Sequence, residues 1–176
     1  MSEEDNAIKL SWEGKIPVCF SMDASDCSKF LVPDPFFAMI PRRLYFPMVM
    51  DKALNHFESD AATFDPARIW LEWNGVPLKW NYPVGLLYDV CQSLTPNGGS
   101  TVFSITIRFH KNFPEDEVLF WPKVEDVEIF FMSTIKEADA IKHRSSVMSS
   151  LHKRDYQQLW SSLLTPGISL SLYIGC

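Results

Sequence analysis

The chain has 176 residues, a formal net charge of −6, 47% hydrophobic residues and 14% aromatic residues. That length suits one domain, or one domain with an appendage, and the apolar content is enough to build a core, which excludes wholesale disorder. The acidic balance argues against a nucleic-acid binder, whose surface is normally basic.

Residues 1–10 carry Glu3, Glu4 and Asp5 and lack the basic start and apolar centre of a signal peptide. No apolar run approaches the ~18 residues that a membrane-spanning helix needs. Met1 to Asn6 reads as a frayed acidic end, and Ala7 to Trp12 as a short helix stopped by Gly14. Lys15 to Met22 is a strand with Ile16, Val18 and Phe20 on one face. Asp23 to Pro35 is a polar loop with two prolines. Phe36 to Phe46 is a second apolar strand, bent at Pro41, and Pro47 to Phe57 a helix with Val49, Lys52/Ala53 and His56/Phe57 along its apolar stripe. Ser59 to Arg68 is a loop.

The most informative stretch is Ile69 to Val90. Two short apolar runs flank Asn74-Gly75, a pair suited to a two-residue turn because both central positions need positive φ. The second run is the short Leu78-Lys79-Trp80, and Pro77 sits just before it, where a missing N–H does least harm. Pro83 then opens a helix carrying Val84, Leu87 and Val90/Cys91 at helical spacing. Trp70, Trp73 and Trp80 read as core packing. After the turn at Thr95 to Ser100, Thr101 to Phe109 is the clearest strand, alternating Val102, Ser104, Thr106 and Arg108 with Phe103, Ile105, Ile107 and Phe109.

Strand, strand, helix, strand, strand, helix, strand gives an α+β layer with the helices on one face of the sheet. The order fits a ubiquitin-like β-grasp, although periodicity alone leaves other ββαββ-type folds open. Residues 1–112 form this domain and 113–123, with two prolines and several acids, a linker. Residues 124–163 form a helix-rich region of one or two helices, with no Gly or Pro to interrupt it. Val127, Phe131, Ile135, Ala138 and Ile141 lie at helical spacing there, and Met148, Leu151 and Leu159 continue a weaker stripe. Residues 164–176 form a tail whose Ile168 to Ile174 alternates like a strand but has no partner in sequence.

Chemistry-bearing motifs are sparse. There is no glycine-rich phosphate loop, HExxH or GxSxG. Cys19, Cys27, Cys91 and Cys176 show no CxxC pair, so free thiols in a cytosolic protein are expected. Cys19 on a strand and Cys91 at a helix end read as inert buried thiols. His56, His110, His143 and His152 are scattered surface histidines, without the spacing of a metal pair. Lys142-His143-Arg144 and His152-Lys153-Arg154 make a locally basic helix that reads as a solvated face, with a partner or an anionic membrane surface as the alternative. No catalytic residue, metal or cofactor is expected. Residue chemistry stops at an α+β interaction domain with a helical appendage.

Three stretches go further. WEGKIPVCF at 12–20, PLKWNYPVGLLYDV at 77–90 and FMSTIKEADAIKHRS at 131–145, extended by DYQQLW at 155–160, together resemble the autophagy protein 5 family. The blocks keep the family's order, and the resemblance covers about residues 7–163. It implies an N-terminal ubiquitin-like domain and a helix-rich region. It also implies a protein that is not an enzyme in itself but the acceptor of a ubiquitin-like modifier, autophagy protein 12, through an isopeptide bond. The conjugate then acts like a ligase, helping a conjugating enzyme pass autophagy protein 8 to phosphatidylethanolamine. A coiled-coil partner, autophagy protein 16, brings it from the cytoplasm to the forming autophagosome (phagophore) membrane, where it sits peripherally.

By the same resemblance the acceptor falls in MSTIKEADA and is Lys136. Lys136 lies about 100° around a helix from Ile135, near or outside the edge of the buried stripe. Asp139, at i+3, is placed to pair with its ammonium. After Leu163 the sequence departs from the family, which continues into more helix and a second ubiquitin-like domain. The expectation is therefore a shortened form with weakened coiled-coil binding; the alternative to the acceptor role is a non-conjugated ubiquitin-like binding module, inactive or dominant-negative.

Overall fold

In the computed structural model, the described residues are 13–29, 31–95, 100–109, 113–119 and 122–165. They contain a five-stranded sheet, β1 (Lys15–Met22), β2 (Phe36–Pro41), β3 (Ile69–Trp73), β4 (Val76–Leu78) and β5 (Phe103–Phe109). The helices are α1 (Asp51–Glu58), α2 (Val84–Ser93), α3 (Val124–His143) and α4 (Lys153–Leu164). The expected helix at Ala7 to Trp12 and the expected strand at Ile168 to Ile174 lie outside the described residues.

The strand order is β2-β1-β5-β3-β4. β1 and β5 run parallel at the centre, with Val18 opposite Phe103 and Met22 opposite Ile107. β2 pairs antiparallel outside β1, and β3 and β4 form an antiparallel hairpin beyond β5. This is the β-grasp order. The hairpin turns at Asn74 (φ 49°) and Gly75 (φ 80°), the two positive φ values that a primed turn requires.

Strict alternation buries every second residue of β1 and β5. The buried set from β1 and β5 meets Ala53 and Phe57 of α1 and Val84, Leu87 and Cys91 of α2 in one core. Trp70 is out of phase with its neighbours Ile69 and Leu71 and belongs to a second core. That core joins Leu44, Tyr45, Met48, Trp70 and Trp80 to Val118, Val127 and Leu163. Two polar contacts, one buried and one partly buried, reinforce this second core. Arg43 Nε–H donates to the Leu163 carbonyl at 2.7 Å, and Trp80 Nε1–H donates to the Leu119 carbonyl at 3.2 Å. The helix-rich region is thus docked on the β-grasp domain through both packing and hydrogen bonds.

The structure corrects five sequence expectations. β4 is Val76–Leu78 rather than Leu78 to Trp80, because pairing with β3 begins straight after the turn, Val76 opposite Trp73. β2 ends at Pro41 instead of running to Phe46. Arg42 N–H still bonds to Gly14, but Leu44 N–H turns back to Pro41, redirecting Leu44 and Tyr45 into the second core. α1 starts at Asp51 rather than Pro47, since Phe46–Met48 form a 3-10 turn first. β5 starts at Phe103, two residues later than expected. In α3, Val127 is buried and Phe131 and Ile135 are half-buried, but Ala138 is exposed and Ile141 is 82% exposed.

Candidate functional site

Lys136 sits in the fourth turn of α3, with its side chain exposed. α3 starts where the Asp126 carboxylate reaches back to the Lys123 N–H at 3.1 Å, and α4 starts with the same device, Asp155 to the His152 N–H at 2.8 Å. These caps fix where each helix begins and hence which residues face each other. Phe131 of α3 meets Trp160 of α4 with ring centroids 5.7 Å apart. Lys136 Nζ stands over the Tyr156 ring of α4, 5.3 Å from its centroid. A cation–π contact at an exposed position contributes ~0.5–1 kcal/mol, enough to bias a flexible side chain. Among the described residues the Lys136 ammonium makes no ion pair.

The expected Asp139 partner is elsewhere. Asp139 is buried, with Oδ2 accepting the Met148 N–H at 2.8 Å and Oδ1 lying 3.1 Å from His143 Nδ1. Its backbone carbonyl takes the Ser145 N–H at 3.2 Å. Arg144 and Ser145 have φ of 52° and 63°, so α3 stops in two left-handed residues without a glycine. A buried carboxylate is costly unless hydrogen-bonded; Asp139 is, and in exchange it organises the turn joining α3 to α4. Tyr156 Oη–H donates to the Met148 carbonyl at 2.8 Å. The ring under Lys136 is therefore held by the same residue, Met148, that Asp139 fixes. Sequence reasoning missed Tyr156 altogether; its one signal was an aromatic residue within the DYQQLW block.

The other residues singled out in sequence do not gather into a reaction centre. His56, His143 and His152 are exposed, while His110 lies outside the described residues. Lys142, Arg144, Lys153 and Arg154 are exposed as well. Burial pushes the Cys19 thiol up, and burial together with the nearby carboxylates of Asp26, Asp60 and Asp23 does the same to Cys27. Burial raises Cys91 to about 11. A thiol held protonated is a poor nucleophile. Among the described residues no three His, Cys, Asp or Glu side chains converge on a metal-sized site. An open apolar groove of about 290 Å³ runs between α2 and the β3–β4 hairpin, lined by Trp73, Pro77, Leu86, Val90, Cys91 and Leu94. Cys91 is its one thiol and Lys79 its charged edge.

Fold and site together define a ubiquitin-like β-grasp domain clasped to a helical region that displays one lysine on an aromatic ring. Residues 11–109 match the family described as "Autophagy protein ATG5, UblA domain", and residues 124–168 match "Autophagy protein ATG5, alpha-helical bundle region". The chain belongs to the autophagy protein 5 family. It is 38% identical over 165 residues to autophagy protein 5 of Drosophila melanogaster, covering 93% of this chain and 60% of that one. It is 30% identical over 154 residues to autophagy-related protein 5 of Caenorhabditis elegans, covering 86% of this chain and 54% of that one. The crystal structure of Kluyveromyces marxianus Atg5 superposes with a TM-score of 0.78 at 16% identity, over 91% of this chain and 63% of that one, a likeness of fold. The chain thus spans a little over half the length of these relatives.

Proposed function

We propose that this chain acts in autophagy as the acceptor of a ubiquitin-like modifier, autophagy protein 12, through an isopeptide bond at Lys136. The observation that carries the reading is the exposed Lys136 amine, oriented by a ring and free of a carboxylate among the described residues, within the matched helical region. In the reaction, the lysine nitrogen attacks the thioester carbonyl linking the modifier to its conjugating enzyme. The C–N bond forms as the C–S bond breaks. Starting from the ammonium, one proton leaves for a base and one ends on the released cysteine thiol. The attacking nitrogen has to be neutral, so the conjugating enzyme supplies the base.

As a conjugate, the chain is a scaffold that promotes transfer of autophagy protein 8 to phosphatidylethanolamine, with autophagy protein 16 as its coiled-coil partner. It works peripherally at the forming autophagosome membrane; no helix among the described residues is long and apolar enough to cross one. The test is a reconstituted conjugation with autophagy protein 12, its activating enzyme and its conjugating enzyme, run beside Lys136→Arg on a denaturing gel. A shifted band with the parent chain alone is expected. A shifted band in both lanes, or in neither with both chains folded by circular dichroism, contradicts the reading.

A further inference from the structure

We propose that Tyr156 is a positioning residue for conjugation, holding the Lys136 side chain in the posture from which it attacks; this rests on the acceptor role of Lys136 proposed above. Two contacts set the arrangement. Lys136 Nζ lies 5.3 Å from the centroid of the Tyr156 ring, and Tyr156 Oη–H donates to the Met148 carbonyl at 2.8 Å. Met148 is itself anchored: its side chain is buried and its N–H donates to the Asp139 carboxylate at 2.8 Å. The ring is therefore a platform tethered by its hydroxyl, while the lysine is a four-carbon stem with many rotamers. A ring that narrows those rotamers raises the fraction of encounters in which the amine faces the thioester. Both of its contacts, to Lys136 and to Met148, lie within the chain, so the effect expected is on turnover more than on docking.

A carboxylate in the same place would orient the lysine as well, but would hold its proton through an ion pair. An aromatic face orients by a weaker attraction that is easily given up. The ion pair expected with Asp139 at i+3 is thus replaced by a contact from the neighbouring helix. Asp139 works one step further back, on the platform.

The experiment uses the full chain with the modifier thioester preformed on its conjugating enzyme, and measures single-turnover rates against enzyme concentration. Tyr156→Leu should lower the maximal rate ~5- to 10-fold, with the half-saturating concentration within about twofold of the parent. Tyr156→Phe and Tyr156→Trp, which keep a ring, should each retain more than about half the parent rate. An unchanged rate in Tyr156→Leu, or an equal fall in all three variants, overturns the proposal. A second readout needs no variant at Tyr156. With the lysines reductively ¹³C-methylated, the Lys136 methyl signal, assigned by its loss in Lys136→Arg, should lie upfield of the other lysines through the ring current. A Lys136 signal among the ordinary lysine signals overturns the proposal even if Tyr156→Leu fails to fold. Conjugation that persists in Lys136→Arg points instead to failure of the acceptor reading itself.

Discussion

Arg43 of the β-grasp domain donates its Nε–H to the backbone carbonyl of Leu163, in the last turn of α4, across 2.7 Å. The last carbonyls of a helix have no partner within it, and a cation there also meets the negative end of the helix dipole. Arg43 is buried, and burial lowers its pKa, so the contact is made away from solvent. The link explains why a helical region with a weakly amphipathic sequence is docked rather than loose. Replacing Arg43 by Met keeps the stem but leaves the Leu163 carbonyl unsatisfied. The expected loss is ~1–3 kcal/mol of stability in urea unfolding, with faster amide exchange confined first to the end of α4. Unchanged exchange there would mean that packing alone holds the helix.

Gly85 tests which of two opposed effects wins. In an ordinary helix, Gly→Ala gains up to ~1 kcal/mol. Here a Cβ on Gly85 would lie 2.8 Å from Arg42 Cβ and 2.9 Å from the Arg42 carbonyl, and Gly85 N–H bonds to that carbonyl at 2.7 Å. Backbone cannot step aside as a flexible side chain can. Gly85→Ala should therefore destabilise by ~1–3 kcal/mol, measured by thermal unfolding. A stabilised variant would show that the loop after β2 yields freely.

Asp139→Ala removes the acceptor for the Met148 N–H and the contact with His143 Nδ1. The buried N–H left behind costs ~1–3 kcal/mol. Loss of protection at Met148 by hydrogen exchange, together with a slower conjugation rate because the Tyr156 platform loosens, is the expected outcome. Full protection at Met148 would contradict the role of Asp139 in the turn.

Cys91 supplies a pH dependence. Its thiol ionises near 9.0 when unperturbed and at about 11 in the folded chain, raised by burial. Between those values the unfolded chain has released a proton that the folded chain keeps, so raising the pH favours unfolding. The contribution is complete below pH ~9 and lost by pH ~11. Tyr45, also raised by burial, acts in the same direction, so the informative quantity is a difference between variants. The melting temperature of Cys91→Ala should fall less steeply than that of the parent between these pH values; parallel slopes would contradict a protonated buried thiol.

Much of the fold was legible in sequence because it is written in local signals. Strict alternation gave β1 its observed bounds, and Asn74-Gly75 placed the hairpin. Two of the readings that slipped are instructive, the end of β2 and the buried stripe of α3. Leu44 and Tyr45 look like a continued strand, since alternation cannot say that Pro41 ends one sheet edge and starts a new layer. In α3 the stripe was phased from apolar residues alone. Its last buried position is the polar Asp139, while Ile141 faces solvent. A buried carboxylate acting as a helix-end clasp has no composition signal, because its partners, Met148 and His143, are set by the turn it makes. Lys136 itself came from the resemblance, and its exposure from helical geometry. Tyr156, twenty residues further on, joins it only through the packing of two helices.

The most direct measurement is site mapping of the conjugate by tandem mass spectrometry. Conjugated chain is digested with trypsin, and branched peptides carrying the modifier's C-terminal remnant are sequenced. The account predicts a single branched peptide, with the remnant on Lys136. A remnant on another lysine, such as Lys142 or Lys153 on the same helical region, would contradict it.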